Sequence, residues 1–358
     1  MNAHPPKILL IGEFCWPWYE EACAASLEGL GCEVDRFSLV DNFFYRNNKT
    51  NLPVSHSIYH KIQNKLLAGP TVSKVNRQLI RVAKINKPTI VWLFNAHMIY
   101  PSTVKKIRDF LPDAVFCLYS NDNPFSEAAD KFFWRHFIKS IPYFDLCFYY
   151  RHSNKKDYFQ YGIKNTELLR SYFIPKEDFP LLQKDIPEKY KCDVVFAGHY
   201  EDDGRVEMLE AICENGYQLN LYGGNWDRAL SKISKNSPLR KIYPIKPATG
   251  EDYRYAICGA KIALCFLSTL NKDTYTRRNF QIPAMKTVML SQYTNDLSML
   301  FSQNSEALFF RNKEEMLESI GIIVRDDSLR VSIENSGYNK VYFEKHDVTS
   351  RITLPQNL

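Results

Sequence analysis

At 358 residues the chain is too long for one small core, and 45% hydrophobic with 24% charged residues is the make-up of an ordinary globular protein; domain-size statistics give about two domains. The formal net charge of +6 is modest for this length and by itself points to no nucleic-acid partner. Nine cysteines with no CxxC and no zinc-ligand spacing argue against a zinc module; several lie in apolar runs (FCLYS, LCFYY, ALCFL) as small hydrophobes, which fits a reducing cytoplasm.

The opening stretch, MNAHPPKILLIGEF, has an apolar run too short for a secretory signal, and acidic Glu13 follows it directly. No apolar stretch reaches the roughly 18 residues of a membrane-spanning helix. Residues 7–12, KILLIG, read as a strand, about Tyr19 to Leu30 as a helix and GCEVDRFSL as a second strand. That is the first βαβ unit of an open α/β domain. The turn after the first strand, GEFCWPWYE, lacks GxGxxG, so the dinucleotide fingerprint is absent. Trp16, Pro17 and Trp18 put flat surfaces at the carboxyl end of that strand, where ligands bind in such sheets; the alternative is an apolar plug between loops.

Residues 42–108 contain twelve Lys/Arg and no Asp or Glu. Their helical part, roughly Ser57 to Asn86, interleaves Lys61, Lys65, Lys74, Arg77, Arg81 and Lys84 with aliphatic residues. Such an element faces anionic lipid, a phosphorylated acceptor or nucleic acid, or is simply a solvated face. No recognition module accompanies the charge, which counts against nucleic acid. Strands follow at TIVWLFNAH (89–97), AVFCLYS (114–120) and DLCFYY (145–150), with helices at Ser102–Phe110, about Glu127–Ser140 and Asn154–Tyr161. Each strand is a continuous apolar run, as buried parallel strands require. Glu13, His97 and Asp122, just past three of these strands, would share one rim. They are the candidate acid–base residues, although His97 is equally readable as structural and Asp122 as a turn former.

The segment SYFIPKEDFPLLQKDIPEKYK (171–191) holds three prolines and little periodicity, and reads as a linker. The expected domains are 1–172, a linker at 173–190, a second domain at 191–330 and a helical tail at 331–358 that packs back on the first domain. The rhythm restarts with the strand CDVVFAGHY (192–200), a helix at Val206–Asn215, YQLNLYGG (217–224), a short strand region PLRKIYPI (238–245), a helix at about Thr249–Gly259 and KIALCFLST (261–269). The run from Asp273 to Met316 then gives Arg277 and Arg278, a short helix to Lys286, strands at Thr287–Leu290 and Ala307–Phe310, and a helix start at Lys313–Glu315. Gly198 permits close approach of a ligand. Arg205, Arg278 and Lys246 can neutralise a diphosphate, and Tyr222 with Gly223 sits where a base could stack. Arg277 reads as a solvated surface arginine. Asp202-Asp203 is adjacent rather than spaced as DxD, so no metal site is expected.

Taken in order, VVFAGHYEDDGR, LNLYGGNW, KIALCF and RNFQIPA, with His346 and Arg351 in the tail, resemble the glycosyltransferase group 1 family, in particular its CgeB-like spore-maturation branch. The resemblance covers about residues 190–355. It implies the GT-B fold: two Rossmann-like open parallel-sheet domains facing each other across a cleft, with a C-terminal helix crossing back to the first domain. It also implies a donor site of Gly198, His199, Arg205, Tyr222, Gly223, Lys246, Arg278, Gln281, Ile282 and Pro283. The family's ribose-binding Glu is Gln281 here, and the Gly usual after P-A-x is Lys286, which asks for an unusual backbone. The expected function is metal-independent, cofactor-free transfer of a hexosyl or related group. A nucleotide sugar is the donor. The acceptor is a saccharide or lipid-linked acceptor of cell-surface or spore polysaccharide synthesis, handled in the cytoplasm and peripherally on the inner membrane face. The alternatives are a nucleotide-sugar epimerase, a non-catalytic nucleotide-sugar-binding protein, and nucleic-acid binding through residues 42–108.

Overall fold

The computed structural model describes residues 5–41, 43–46, 53–55 and 58–352. The chain divides into two compact units: one runs to Arg170 and takes in the chain from Val348 onward, the other is Ser171–Asp347.

In the first unit, β1 (Lys7–Gly12) leads through a π-helical turn (Pro17–Glu21) to α1 (Ala22–Gly29) and β2 (Glu33–Ser38). A small antiparallel pair, β3 (Phe44–Arg46) and β4 (Pro53–Ser55), precedes α2 (Ile58–Leu66) and α3 (Pro70–Asn86). There follow β5 (Ile90–Phe94), α4 (Pro101–Phe110), β6 (Val115–Ser120), α5 (Arg135–Ser140), β7 (Leu146–Tyr149), α6 (Asn154–Gln160) and β8 (Thr166–Leu168). The six-stranded sheet has the order β2-β1-β5-β6-β7-β8 and all its pairs are parallel. Its central strands are buried apart from the first residues of β1 and β6, and every residue of β5 is in the core. That explains their unbroken apolar runs, because helices cover both faces of such a sheet.

The helix expected over 57–86 is two helices. Leu67 (φ 47°) and Gly69 (φ 126°) enter the left-handed region, and Pro70 restarts the helix at a position where its missing N–H costs nothing. Gln63, buried, accepts the Thr71 N–H through Oε1 at 2.7 Å and fixes the break. Ser57, the expected start, lies outside the described residues. The helix expected at 127–140 shortens to α5, and β8 adds an edge strand that too few residues announced.

In the second unit, the strands β9 (Cys192–Ala197), β10 (Leu219–Tyr222), β11 (Ala260–Cys265), β12 (Val288–Gln292) and β13 (Leu308–Phe310) form a parallel sheet of order β10-β9-β11-β12-β13. Its helices are α7 (Arg205–Glu214), α8 (Glu251–Cys258), α9 (Arg278–Ala284), α10 (Asn295–Leu300), α11 (Lys313–Arg325) and α12 (Asp327–Phe343). The strand expected at 238–245 is instead a 3-10 helix, Pro238–Ile242, capped by the Ser237 hydroxyl; two prolines in eight residues suit no ladder. Residues 171–191 belong to this unit. Phe173 donates its N–H to the His346 carbonyl at 3.2 Å, and Gln183 Nε2 donates to the Cys258 carbonyl at 3.1 Å. α12 packs on α9 and stays in the second unit. The last helix, α13 (Val348–Arg351), belongs to the first unit, where it packs on α1 and Thr349 Oγ1 lies 3.3 Å from Ser26 Oγ.

Among the described residues no helix is long and apolar enough to cross a membrane, and all nine cysteines are thiols.

Candidate functional site

In the second unit the loops after β9 and β11 meet the start of α9. Arg278, the first residue of α9, donates to the carbonyl of Ala197 at 3.2 Å and of Phe266 at 3.4 Å, so its guanidinium crowns the carboxyl ends of the two central strands. Gly198 lies directly beneath: a Cβ there would stand 3.0 Å from Arg278 Nη1. Arg205 shares the same aromatic floor. It sits 5.7 Å from the Phe196 ring, as Arg278 does, and 5.6 Å from Phe266. The two arginines differ in company. Arg205 is 2% exposed, and Asp203 takes its Nε and Nη2 at 2.7 and 2.6 Å while the His199 carbonyl takes Nη1 at 2.6 Å. Its charge is neutralised on site and it ties the 199–205 loop.

The two glycines serve each other. Gly223 (φ 152°) has no room for a side chain, since a Cβ would come 1.9 Å from the Gly198 carbonyl oxygen, which also accepts from Trp226 Nε1 at 3.0 Å. Their amides are engaged as well, Gly198 to the Tyr222 carbonyl at 2.9 Å and Gly223 to the Lys246 carbonyl at 3.1 Å. The Lys246 side chain is exposed. His199 is exposed with Nε2 3.0 Å from Glu201. The Tyr222 ring lies 6.3 Å from Tyr190, itself stacked on Tyr255 at 5.4 Å.

Gln281 is buried, with Nε2 donating to Asp178 at 2.7 Å and Oε1 accepting from the Tyr253 hydroxyl at 3.4 Å. The other Asp178 oxygen accepts from Arg277 at 3.0 Å and from the Ile174 N–H at 2.8 Å. Arg277 is therefore a half-buried ion-pair partner of buried Asp178, contrary to its reading as a solvated arginine. Ile282 and Pro283 are buried in α9, with Pro283 facing Gly337 of α12. Lys286 takes φ 55°, the left-handed backbone that a glycine would supply, and its Nζ lies 5.0 Å over the Tyr338 ring.

In the first unit Glu13, Asn95 and Asp122 come together at the carboxyl ends of β1, β5 and β6. With Cys15, Trp16, Tyr19, Glu20 and Asn121 they line a cavity of about 190 Å3. Two non-glycine residues on this rim, Phe14 (φ 52°) and Asn95 (φ 48°), hold left-handed backbones. Trp16 and Trp18 stack at 5.0 Å. Beside Asp122, Asn123 Oδ1 accepts the Phe125 N–H at 3.2 Å.

His97 is buried, and its Nδ1 lies 2.8 Å from the Asn95 carbonyl. A carbonyl only accepts, so Nδ1 carries the proton and Nε2 is a bare acceptor. Nε2 faces Glu13 Oε1 at 3.3 Å. Burial holds the His97 imidazole down at about 4, against the lesser pull of the Asn95 hydrogen bond and Asp122. Burial, then the Asp122 charge, lifts Glu13 to about 7. The matched geometry is a protonated Glu13 donating to neutral His97: one proton shared by two groups, and released near neutrality.

Glu20 went unremarked in the sequence. It is 4% exposed, its Oε1 accepts the Glu13 N–H at 3.1 Å, and burial lifts it to about 7. A Cβ on Gly12 would meet its Cγ at 2.5 Å, so the glycine leaves the space this carboxyl fills. Among the described residues no group of three or more His, Cys, Asp or Glu is placed to hold a metal ion.

Residues 205–354 match a protein family described as glycosyl transferase-like. No curated protein matches the chain. Solved structures with the same GT-B fold include sucrose-phosphate synthase from Thermosynechococcus elongatus (TM-score 0.67, 11% identity, 97% of this chain and 96% of that one). The Anabaena protein HepE in complex with UDP-glucose is similar at TM-score 0.64, 12% identity and 97% of both chains. A glycosyltransferase from Rickettsia africae is similar at TM-score 0.65, 12% identity, 98% of this chain and 96% of that one. At these identities the likeness is one of fold.

Proposed function

We propose that this chain, with a glycosyl transferase-like segment on a GT-B fold, transfers a hexosyl or related group from a nucleotide-sugar donor to a hydroxyl of a saccharide or lipid-linked acceptor. The observation that carries the proposal is the Glu13–His97 pair, which holds one proton at the rim of a sugar-sized cavity. The Glu13 carboxylate takes the proton of the attacking hydroxyl, and His97 Nε2 accepts a hydrogen bond from the acid so formed. Trp16 offers a face to the acceptor ring, while Asn95, Asn121 and Glu20 offer hydrogen-bonding groups to its hydroxyls.

Arg278 serves the donor diphosphate, supplying fixed positive charge as the leaving group develops its own. Transfer then needs no metal. Gly198 and Gly223 shape the floor, and Arg205 holds the adjoining loop. The HepE complex makes a uridine diphosphate sugar the first donor to test. The ordered second-half motifs support a place in cell-surface or spore polysaccharide synthesis, and the basic stretch 42–108 supports action on an anionic membrane face.

The test is product analysis with a nucleotide-sugar panel, with and without saccharide acceptors. Transfer to the acceptor supports the reading. A new sugar nucleotide from donor alone identifies an epimerase, and nucleotide binding without turnover identifies a binding protein.

A further inference from the structure

We infer that α2, together with Phe132, is a docking face for an anionic lipid bilayer, and that it presents a lipid-linked acceptor to the Glu13–His97 pair. The second half of this inference rests on the transferase reading above; the first half does not.

The face of α2 is reversed for a helix on a soluble core. Ile58 is 73% exposed, Tyr59 51%, Ile62 52% and Leu66 47%, while polar Gln63 is buried. The Gln63–Thr71 hydrogen bond at 2.7 Å fixes this orientation. Ile58, Ile62 and Leu66 recur every four residues and form one stripe, and Lys61 and Lys65, both exposed, run along its edge. Phe132, half exposed, extends the stripe. Arg135 lies 3.8 Å over its ring and donates to the Leu66 carbonyl at 2.5 Å, which pins Phe132 to the end of α2. α3, packed on α2, adds the exposed Lys74, Arg77, Arg81 and Lys84.

The charge decides the occupant. α2 and α3 carry six exposed cations, Lys61, Lys65, Lys74, Arg77, Arg81 and Lys84, and no acidic residue, so a second copy presenting the same face would be repelled. Nucleic acid would use the cations but leave the aliphatic stripe in water. An anionic bilayer uses both: the stripe enters the headgroup boundary and the lysines reach the phosphates.

The face also borders the proton-sharing pair. Phe133, next to Phe132, stacks on His97 at 4.4 Å. Asn76 of α3 donates to the Met98 carbonyl at 3.1 Å and accepts the Tyr100 N–H at 2.8 Å. One packed support therefore carries both the docking stripe and the base.

The test is co-sedimentation of the full chain with vesicles of phosphatidylglycerol and phosphatidylcholine, against phosphatidylcholine alone. Wild type is compared with Ile62→Asp/Leu66→Asp and with Lys61→Glu/Lys65→Glu, whose thermal melts confirm folding. Wild type should prefer the anionic vesicles, and each variant should bind them about tenfold or more weakly, with unchanged donor hydrolysis in solution. Absent binding to anionic vesicles, or equal binding by the aspartate variant, overturns docking. Tighter binding to polyuridylate that survives the aspartate pair shows a nucleic-acid face, and a dimer dissolved by that pair shows a second copy; either overturns the inference. Vesicle binding lost in the variants, with no donor turned over by any protein, upholds docking and overturns acceptor delivery.

Discussion

Gln281 donates through Nε2 to the carboxylate of Asp178, 103 residues earlier, at 2.7 Å. Gln281, expected to meet the donor ribose, belongs to an Arg277–Asp178–Gln281 network that fastens the 171–191 segment to α9. Gln281→Glu would set two carboxylates against each other and should cost about 1–3 kcal/mol of unfolding free energy. Denaturant melts should show the loss, and Asp178→Asn should recover part of it in the double variant. If Gln281 contacts ribose instead, the single variant keeps its stability and tightens donor binding.

Asp178→Ala removes the buried carboxylate that Arg277, Gln281 and the Ile174 N–H share and should cost about 3–5 kcal/mol, whereas an exposed pair such as Lys191–Glu188 should contribute under about 1 kcal/mol. Chemical denaturation of the two variants in parallel checks the contrast.

Lys286 holds φ 55° where the backbone favours glycine. Lys286→Gly relieves a left-handed penalty of about 1 kcal/mol, less the unfolded-state entropy of glycine and the contact with Tyr338. The melting midpoint should stay level or rise, while Lys286→Val should lose about 1 kcal/mol or more.

The parallel sheets were legible because buried strands are continuous apolar runs, IVWLF of β5 being the clearest. The site was legible by position but not by partner. Arg205 and Arg278 look alike in sequence; only Asp203, folding back on Arg205, separates a loop fastener from a rim cation. Arg277 looked solvated because its partner lies in a segment that reads as linker. Glu20 and Glu21 are adjacent, and the π-helical turn decides which faces in: Glu20 is buried, while Glu21 pairs with Arg36 at 2.9 Å. A helical pattern cannot announce that extra residue.

The proton-sharing pair gives the pH behaviour. Transfer should fall on the acid side with a midpoint near 7, as Glu13 gains its proton. Asp122→Asn removes a negative neighbour, stabilises the carboxylate and should move that midpoint to lower pH. Glu13→Gln should slow transfer by about 100-fold or more.

Stability carries a separate signature. Glu20 titrates at about 7 when folded against 4.5 unfolded. Between those values the folded chain keeps a proton the unfolded chain has released, so this group's contribution falls as pH rises through the window. His97, at about 4 against 6.5, acts oppositely: the unfolded chain holds the extra proton, and stability rises with pH. Glu13, also lifted to about 7, acts in the same direction as Glu20. These three groups together therefore lower unfolding free energy from pH 4.5 to 7 in wild type, and Glu20→Gln should lessen that fall.

The central claim is a nucleotide-sugar donor held at Arg278. Its most direct measurement is nucleoside diphosphate release from a panel of nucleotide sugars by wild type and Arg278→Ala. Wild type should release diphosphate from at least one donor, and Arg278→Ala should do so about 100-fold more slowly at an unchanged melting temperature. Wild type that binds no nucleotide sugar, or an Arg278→Ala variant as fast as wild type, would contradict it.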